Sequence, residues 1–238
     1  MKGKDENYTK KSKIIYEIDT PIVLVVGLSR ELNRFSQLLA MKKELEKQKY
    51  NVILLSDYSE KKEDTRICQI PTISRSNSLI DSAININHYV KQLEMTIPVD
   101  VFLVGICSGI SCFGKNIIED FGVSAFVVSK VLPPDCIVLN SFYSEIGEDV
   151  ISKISEGVES FLGEKIDVIN IFPLTIDLNR SEYEGKIVGI NMEIDEIRKN
   201  VNSWDSRNIV FSTGYNEVNK IVEKCCNTLK TYSEIEIV

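Results

Sequence analysis

The sequence predicts an α/β fold, doubly wound around a mostly parallel sheet with helices on both faces. Three observations lead there. Short β-branched runs such as 22–27 (IVLVVG) are apolar at every position, as strands buried on both faces require. Longer segments with helical periodicity separate them, as at 30–49 and 76–95. That alternation implies right-handed strand–helix–strand crossovers.

Residues 1–12 are polar and lysine-rich and read as a flexible tail, which leaves 13–238 as a single α/β domain without repeat or low-complexity linker. Strand 22–27 opens the sheet. Helix 30–49 follows, with Leu32, Phe35, Leu38, Leu39, Met41 and Leu45 on or near one stripe. Then come strand 51–55, a charged loop at 57–66, a short strand at 67–72 and helix 76–95. Strand 99–105 leads into a Gly/Ser/Cys loop, a short helix at 116–121 and a strand at 124–128. Pro133 and Pro134 punctuate before strand 136–139 and helix 148–162. The remainder reads as strands 167–172 and 186–190, helices 195–203 and 216–231, and a short edge strand at 209–212. Strands 22–27, 51–55, 99–105 and 124–128 are expected to be parallel neighbours, with ligands beyond their carboxyl ends.

Composition narrows the function classes. The 238 residues are 43% hydrophobic and 26% charged, ordinary for a globular chain, with net charge −7. Lysines are interleaved with acids, as at Lys42, Lys43 and Glu44, so no basic stripe offers itself to nucleic acid. No apolar run has the length of a membrane span, and no apolar signal segment follows the amino terminus. The six cysteines follow no repeating framework and read as reduced thiols, several buried as small hydrophobes, in a cytoplasmic protein.

Two loops carry the candidate chemistry. The first, Gly27 to Ser36, has the strand–glycine–loop–helix shape of a phosphate-binding loop. A working loop needs a second glycine, a lysine and a Ser or Thr for Mg²⁺; here Asn33 or Leu32, Arg34 and Phe35 stand in those places. Phenylalanine cannot ligate a metal. Binding of a weak nucleotide, an anion or a peptide carboxylate through Gly27, Arg30, Asn33 and Arg34 stays open beside a purely structural turn.

The second loop, 105–116, gathers Gly105, Cys107, Ser108, Gly109, Cys112 and Lys115. Residues 109–116 (GISCFGKN) match Walker A spacing up to Asn116, which replaces the metal-binding hydroxyl. Cys107 and Cys112 are spaced too widely for a tuned C-x-x-C pair, and His88, the one histidine, sits on another helix, so no metal is expected. The glycines suggest backbone freedom kept for binding, with Cys107 or Lys115 accessible in a concavity facing Arg30 and Arg34. The competing reading is a tight structural turn.

Segments 21–57, 99–110 and 121–139 together resemble a family of peptide maturation system proteins from clostridial clusters for cysteine-rich, ribosomally made peptides of bacteriocin type. The family's N-K-F and Q-L-x-L-R pattern corresponds to Asn33, Arg34 and Phe35, then Gln37, Leu38 and Leu39, which places Phe35 in the pattern. Where the family has P-G-G, this chain has Cys107, Ser108 and Gly109. The resemblance implies an accessory role with a precursor peptide and a radical S-adenosylmethionine maturase as partners. It brings no catalytic residues with it. More distantly, the strand–loop–helix looks like the dethiobiotin-synthetase type of P-loop fold, and that alternative implies a nucleotide-dependent enzyme of ligase or kinase type.

Overall fold

A strand without polar side chains is stable only between two apolar layers, and Ile22–Gly27 is buried along its whole length. The computed structural model describes residues 13–32, 35–58, 64–73, 78–143, 148–201, 209–211 and 217–235; the tail at 1–12 lies outside them. In chain order the elements are β1 (Ile22–Gly27), a 3-10 turn (Arg30–Leu32), α1 (Phe35–Lys47), β2 (Val52–Ser56), β3 (Ile67–Gln69), α2 (Leu79–Thr96), β4 (Val101–Gly109), α3 (Val123–Val131) and β5 (Cys136–Phe142). Then follow α4 (Glu148–Leu162), β6 (Val168–Phe172), β7 (Leu174–Ile176), α5 (Leu178–Glu184), β8 (Gly189–Asn191), α6 (Ile194–Val201), β9 (Ile209–Phe211) and α7 (Val218–Ile235).

The main sheet has the order β3-β2-β4-β1-β5-β6-β9, and every pairing in it is parallel. Side chains of β1 alternate between two cores. Ile22, Leu24 and Val26 meet Ile86 and Val90 of α2, Val128 of α3 and Val158 of α4. Val23 and Val25 meet Leu38 and Met41 of α1 and Ile221 and Val222 of α7. Helices therefore cover both faces, as the doubly wound reading requires. The crossover after β1 uses one face and the crossover after β4 the other, so their loops diverge between adjacent strands. That divergence is the crevice where open α/β sheets take ligands.

Several elements differ from expectation. Residues 124–128 are helical, not a strand. Asp120 accepts hydrogen bonds from the backbone N–H of Gly122 and Ser124, at 2.9 and 3.2 Å, and so caps the start of α3. Burial of Ala125, Val128 and Leu132 follows helical spacing despite the β-branched composition. Residues 116–121 form turns in place of the expected short helix, because Glu119 and Phe121 take positive φ, 48° and 56°. The helix expected from residue 30 is divided into the 3-10 turn and α1. The strand expected at 186–190 is β8, which pairs antiparallel with the unforeseen β7 outside the main sheet.

The largest difference is β4. Expected to end at 105, it runs to Gly109. Its register against β1 slips from Val25↔Gly105 to Gly27↔Gly109, a bulge that keeps the two strand ends together. Ile110 N–H and Ser111 N–H then donate to the carbonyls of Gly27 and Leu28, both at 3.0 Å.

At the opposite edge, Asp167 accepts the N–H of Ile137 at 2.8 Å and ties the start of β6 to β5. Burial, only partly offset by that bond, pushes its carboxyl pKa up. The folded chain therefore holds this proton more tightly than the unfolded chain. The associated stability is present below the ordinary Asp pKa and is lost as pH rises through the elevated one. An Asp167→Asn variant should gain on the parent in urea denaturation as pH rises above the ordinary Asp pKa, about 4. A stability difference that does not change with pH would refute this.

Candidate functional site

The loop after β1 is held from two sides. Leu28 N–H donates to the Asn140 carbonyl on β5 at 3.0 Å, and Leu32 N–H to the Ser29 carbonyl at 3.0 Å. Asn140 also reaches forward: its amide donates to the Leu32 carbonyl at 3.2 Å and to Gln37 Oε1 at 3.0 Å, and its Oδ1 accepts from Gln37 and Asn170. These buried amides fix the loop and the first turn of α1 as one unit. Phe35, at the position where a working phosphate loop has its metal-binding hydroxyl, is buried and meets the Tyr58 ring edge-on, with centroids 5.9 Å apart. Asn33 and Arg34 lie outside the described residues.

On this platform several donors converge on one carboxylate. Ser29 Oγ and Arg30 N–H donate to Glu119 Oε1 at 3.0 and 3.1 Å. Gly109 N–H donates to Oε2 at 3.4 Å, and the Arg30 guanidinium lies 3.9 Å from the same oxygen. The Glu119 side chain is 8% exposed, while that of Arg30 is 69% exposed. The acceptor thus sits inside a cradle with Arg30, the one cation paired with it among the described residues, on the rim. Ser29 is fully buried and also accepts the N–H of Glu31 at 3.3 Å, which fixes its hydroxyl as the donor to Glu119.

The middle loop divides into separate parts. Gly105 is a strand residue, and a Cβ there would lie 2.2 Å from Leu38 Cδ1, so its bareness admits α1 to the sheet. At Gly109 a Cβ would lie 2.6 Å from Ser29 Cα and 2.8 Å from Glu119 Cδ. Neither has a left-handed φ, so these two glycines serve close approach, and the backbone freedom expected of them is confined to Gly114, at φ 149°. Cys107 faces β2: its N–H donates to Asp57 Oδ1 at 2.7 Å, and its sulfur lies 3.5 Å from Ser56 Oγ. Burial pushes its thiol pKa up to about 11. Ser108 is half-buried; Cys112 and Lys115 are exposed. No helix follows Lys115, since α3 begins only at Val123, so the Walker A spacing of 109–116 lacks the helix N-terminus that the motif needs.

Of the residues expected to form the site, Gly27, Arg30 and Gly109 come together, and Cys107 is placed at the end of β2. Glu119 and Asn140 were not foreseen. Nothing in the local sequence marks Glu119, which reads as part of a short helix; Asn140 carries a signal, as a polar residue ending an apolar strand. Among the described residues no three His, Cys, Asp or Glu side chains form a metal-binding group, and no helix is long and apolar enough to cross a membrane.

No family model and no curated protein matches the chain. A DUF1611 family protein from Anabaena variabilis superposes with a TM-score of 0.50 at 10% identity, over 86% of this chain and 58% of that one. The chain thus spans less than two thirds of that structure. Chloroplast FtsY from Physcomitrella patens gives 0.45 at 12% identity, over 90% of this chain and 67% of that one. The MinD cell division protein of Aquifex aeolicus gives 0.43 at 11%, over 84% of this chain and 87% of that one. These are likenesses of fold, and the resemblance to peptide maturation proteins finds no support among them.

Two measurements check this geometry. Iodoacetamide at pH 8 should modify Cys112 well before Cys107, since with a pKa near 11 only about one Cys107 in a thousand carries the thiolate. Equal rates by peptide mass spectrometry would contradict the placement. Gly109→Ala should destabilise the fold by about 1–3 kcal/mol, because the new methyl meets backbone that cannot retreat; an unchanged urea midpoint would count against the junction.

Proposed function

We propose that this protein binds an anionic group, foremost the phosphate of a nucleotide, at the carboxyl ends of β1 and β4, without metal-dependent hydrolysis. One observation carries this reading. Main-chain N–H groups from two loops, a buried hydroxyl and an arginine converge on a single buried carboxylate at the crevice between diverging crossovers. The same donor set suits a phosphate oxygen. Hydrolysis needs more. In phosphoryl transfer Mg²⁺ bridges the β- and γ-oxygens and is held by a loop hydroxyl, where this chain has the buried Phe35. The reading therefore keeps the nucleotide-dependent alternative at the level of binding and drops turnover.

A second reading is an accessory role in peptide maturation, with the precursor peptide or the radical maturase as partner and a cytoplasmic setting. Its support is the chemistry of the group in the cradle. A carboxylate sits there, followed closely by the exposed Phe121 and Val123, and an acidic peptide carries the same groups.

Calorimetric titration with ATP and GTP at millimolar concentration separates these readings. Saturable heat is expected, changing by less than about twofold when EDTA removes Mg²⁺, with no release of phosphate. Magnesium-dependent turnover that Arg30→Ala abolishes would sink the non-hydrolytic reading. Heat from the precursor peptide and from neither nucleotide would favour the second.

A further inference from the structure

We infer that Glu119 is a built-in plug: its carboxylate occupies the anion position of the cradle, and an external oxyanion binds there only by displacing it. This control rests on the anion-binding reading above. The Ser29 hydroxyl and the main-chain N–H groups of Arg30 and Gly109 donate to Glu119, so an incoming phosphate finds these three donors taken while Glu119 is seated. Both anions cannot share the cradle. Two negative groups in contact repel, and Arg30, on the rim, is the one cation paired with Glu119 among the described residues.

The segment that carries Glu119 is fitted for release. Glu119 and Phe121 both hold left-handed φ, which L side chains rarely adopt, Phe121 with a bulky side chain that is 59% exposed. Seated, Glu119 has three hydrogen bonds to offset that conformation; unseated, it loses them and the turn is free to relax. The hinge after it is short and defined, since Asp120 caps α3 and keeps the helix start in place. Displacement therefore moves Ile118 and Glu119 about Asp120 without unfolding α3, while Ile117 stays in the core. The exposed side chain of Ile118 moves with Glu119, and the exposed Phe121 loses the hold of its N–H on the Ile118 carbonyl. Occupancy of the cradle is thereby coupled to the shape of an apolar surface.

The apparent affinity of such a site is the intrinsic affinity multiplied by the fraction of molecules in which the plug is out. Pyrophosphate, titrated calorimetrically into the full chain at low ionic strength, tests this directly. Glu119→Ala should bind it at least about tenfold more tightly than the parent, and Arg30→Ala added to that variant should weaken the gain. Glu119→Gln keeps the size and removes the charge; it should also bind more tightly, and it carries the test if the alanine variant does not fold. Equal affinities in parent and variants would overturn the plug and leave the anion site standing. No binding in any of them would overturn both. The parent alone supplies a further check by amide exchange. Saturating pyrophosphate should speed exchange in 118–121 while 27–32 stays protected, and unchanged exchange in 118–121 would refute displacement.

Discussion

A carboxylate shielded from water is costly unless donors meet it, and at Glu119 that requirement ties three distant pieces of chain together. The loop after β1 brings Ser29 and Arg30, the end of β4 brings Gly109, and the turn before α3 brings the carboxylate itself. Much of the local architecture follows from the meeting. β4 has to run past its apolar stretch to deliver the Gly109 N–H, and the bulge against β1 sets the direction in which that N–H points. Position 109 has to be bare, because Ser29 and Glu119 close on it from either side. The turn has to enter left-handed backbone at Glu119 to aim the side chain inward. Behind the cradle, Asn140 fixes the first loop through its carbonyl and its amide, so the donors are in place before any ligand arrives.

The parts of the fold legible in the sequence are those where local pattern and tertiary burial agree. β1, β2, α1, α2 and α4 declare themselves by apolar runs or helical stripes, and the alternation of the two types fixes a parallel sheet covered on both faces. The misreadings lie where a long-range partner decides. Residues 107–109 are small or polar and look like loop; pairing with the end of β1 makes them strand. Residues 123–131 are rich in valine and look like strand; the cap from Asp120 and packing on the sheet make them helix. Glu119 escaped notice for the same reason, since Ser29 and Arg30, two of its partners, lie about ninety residues earlier in the chain. The cysteines divide by position: Cys136, Cys225 and Cys226 are buried small residues as expected, and Cys107 is turned from the cradle toward Ser56 and Asp57.

A phosphate loop does several jobs with one short segment, and on the anion-binding reading proposed above this chain keeps some without the others. The strand, the glycine at its end and the donors beyond it are present, held by a network more rigid than a glycine-rich loop needs. The metal-binding hydroxyl is replaced by Phe35, whose ring closes the space between α1 and Tyr58. That exchange strengthens packing where a hydrolase keeps polar room. Recognition and catalysis are separable in such sites because positioning an anion needs only fixed donors, whereas transferring a phosphoryl group also needs a metal to gather the developing charge.

Electrostatics then limits what such a cradle selects. The chain carries a net charge of −7, so at long range it repels an anionic ligand, over a reach of about 8 Å at physiological salt. Attraction in the cradle is short-ranged by comparison. It comes from oriented N–H dipoles and one hydroxyl, with the arginine paired to the carboxylate largely exposed to solvent. Such donors act at contact distance, reward an oxyanion that fits them and give little to one that merely passes by. A broad polyanion would meet the repulsion of the whole surface and gain at one point only. A small, doubly charged terminal group concentrates its oxygens where the donors are, and it is the kind of group with enough charge density to take the place of a single carboxylate.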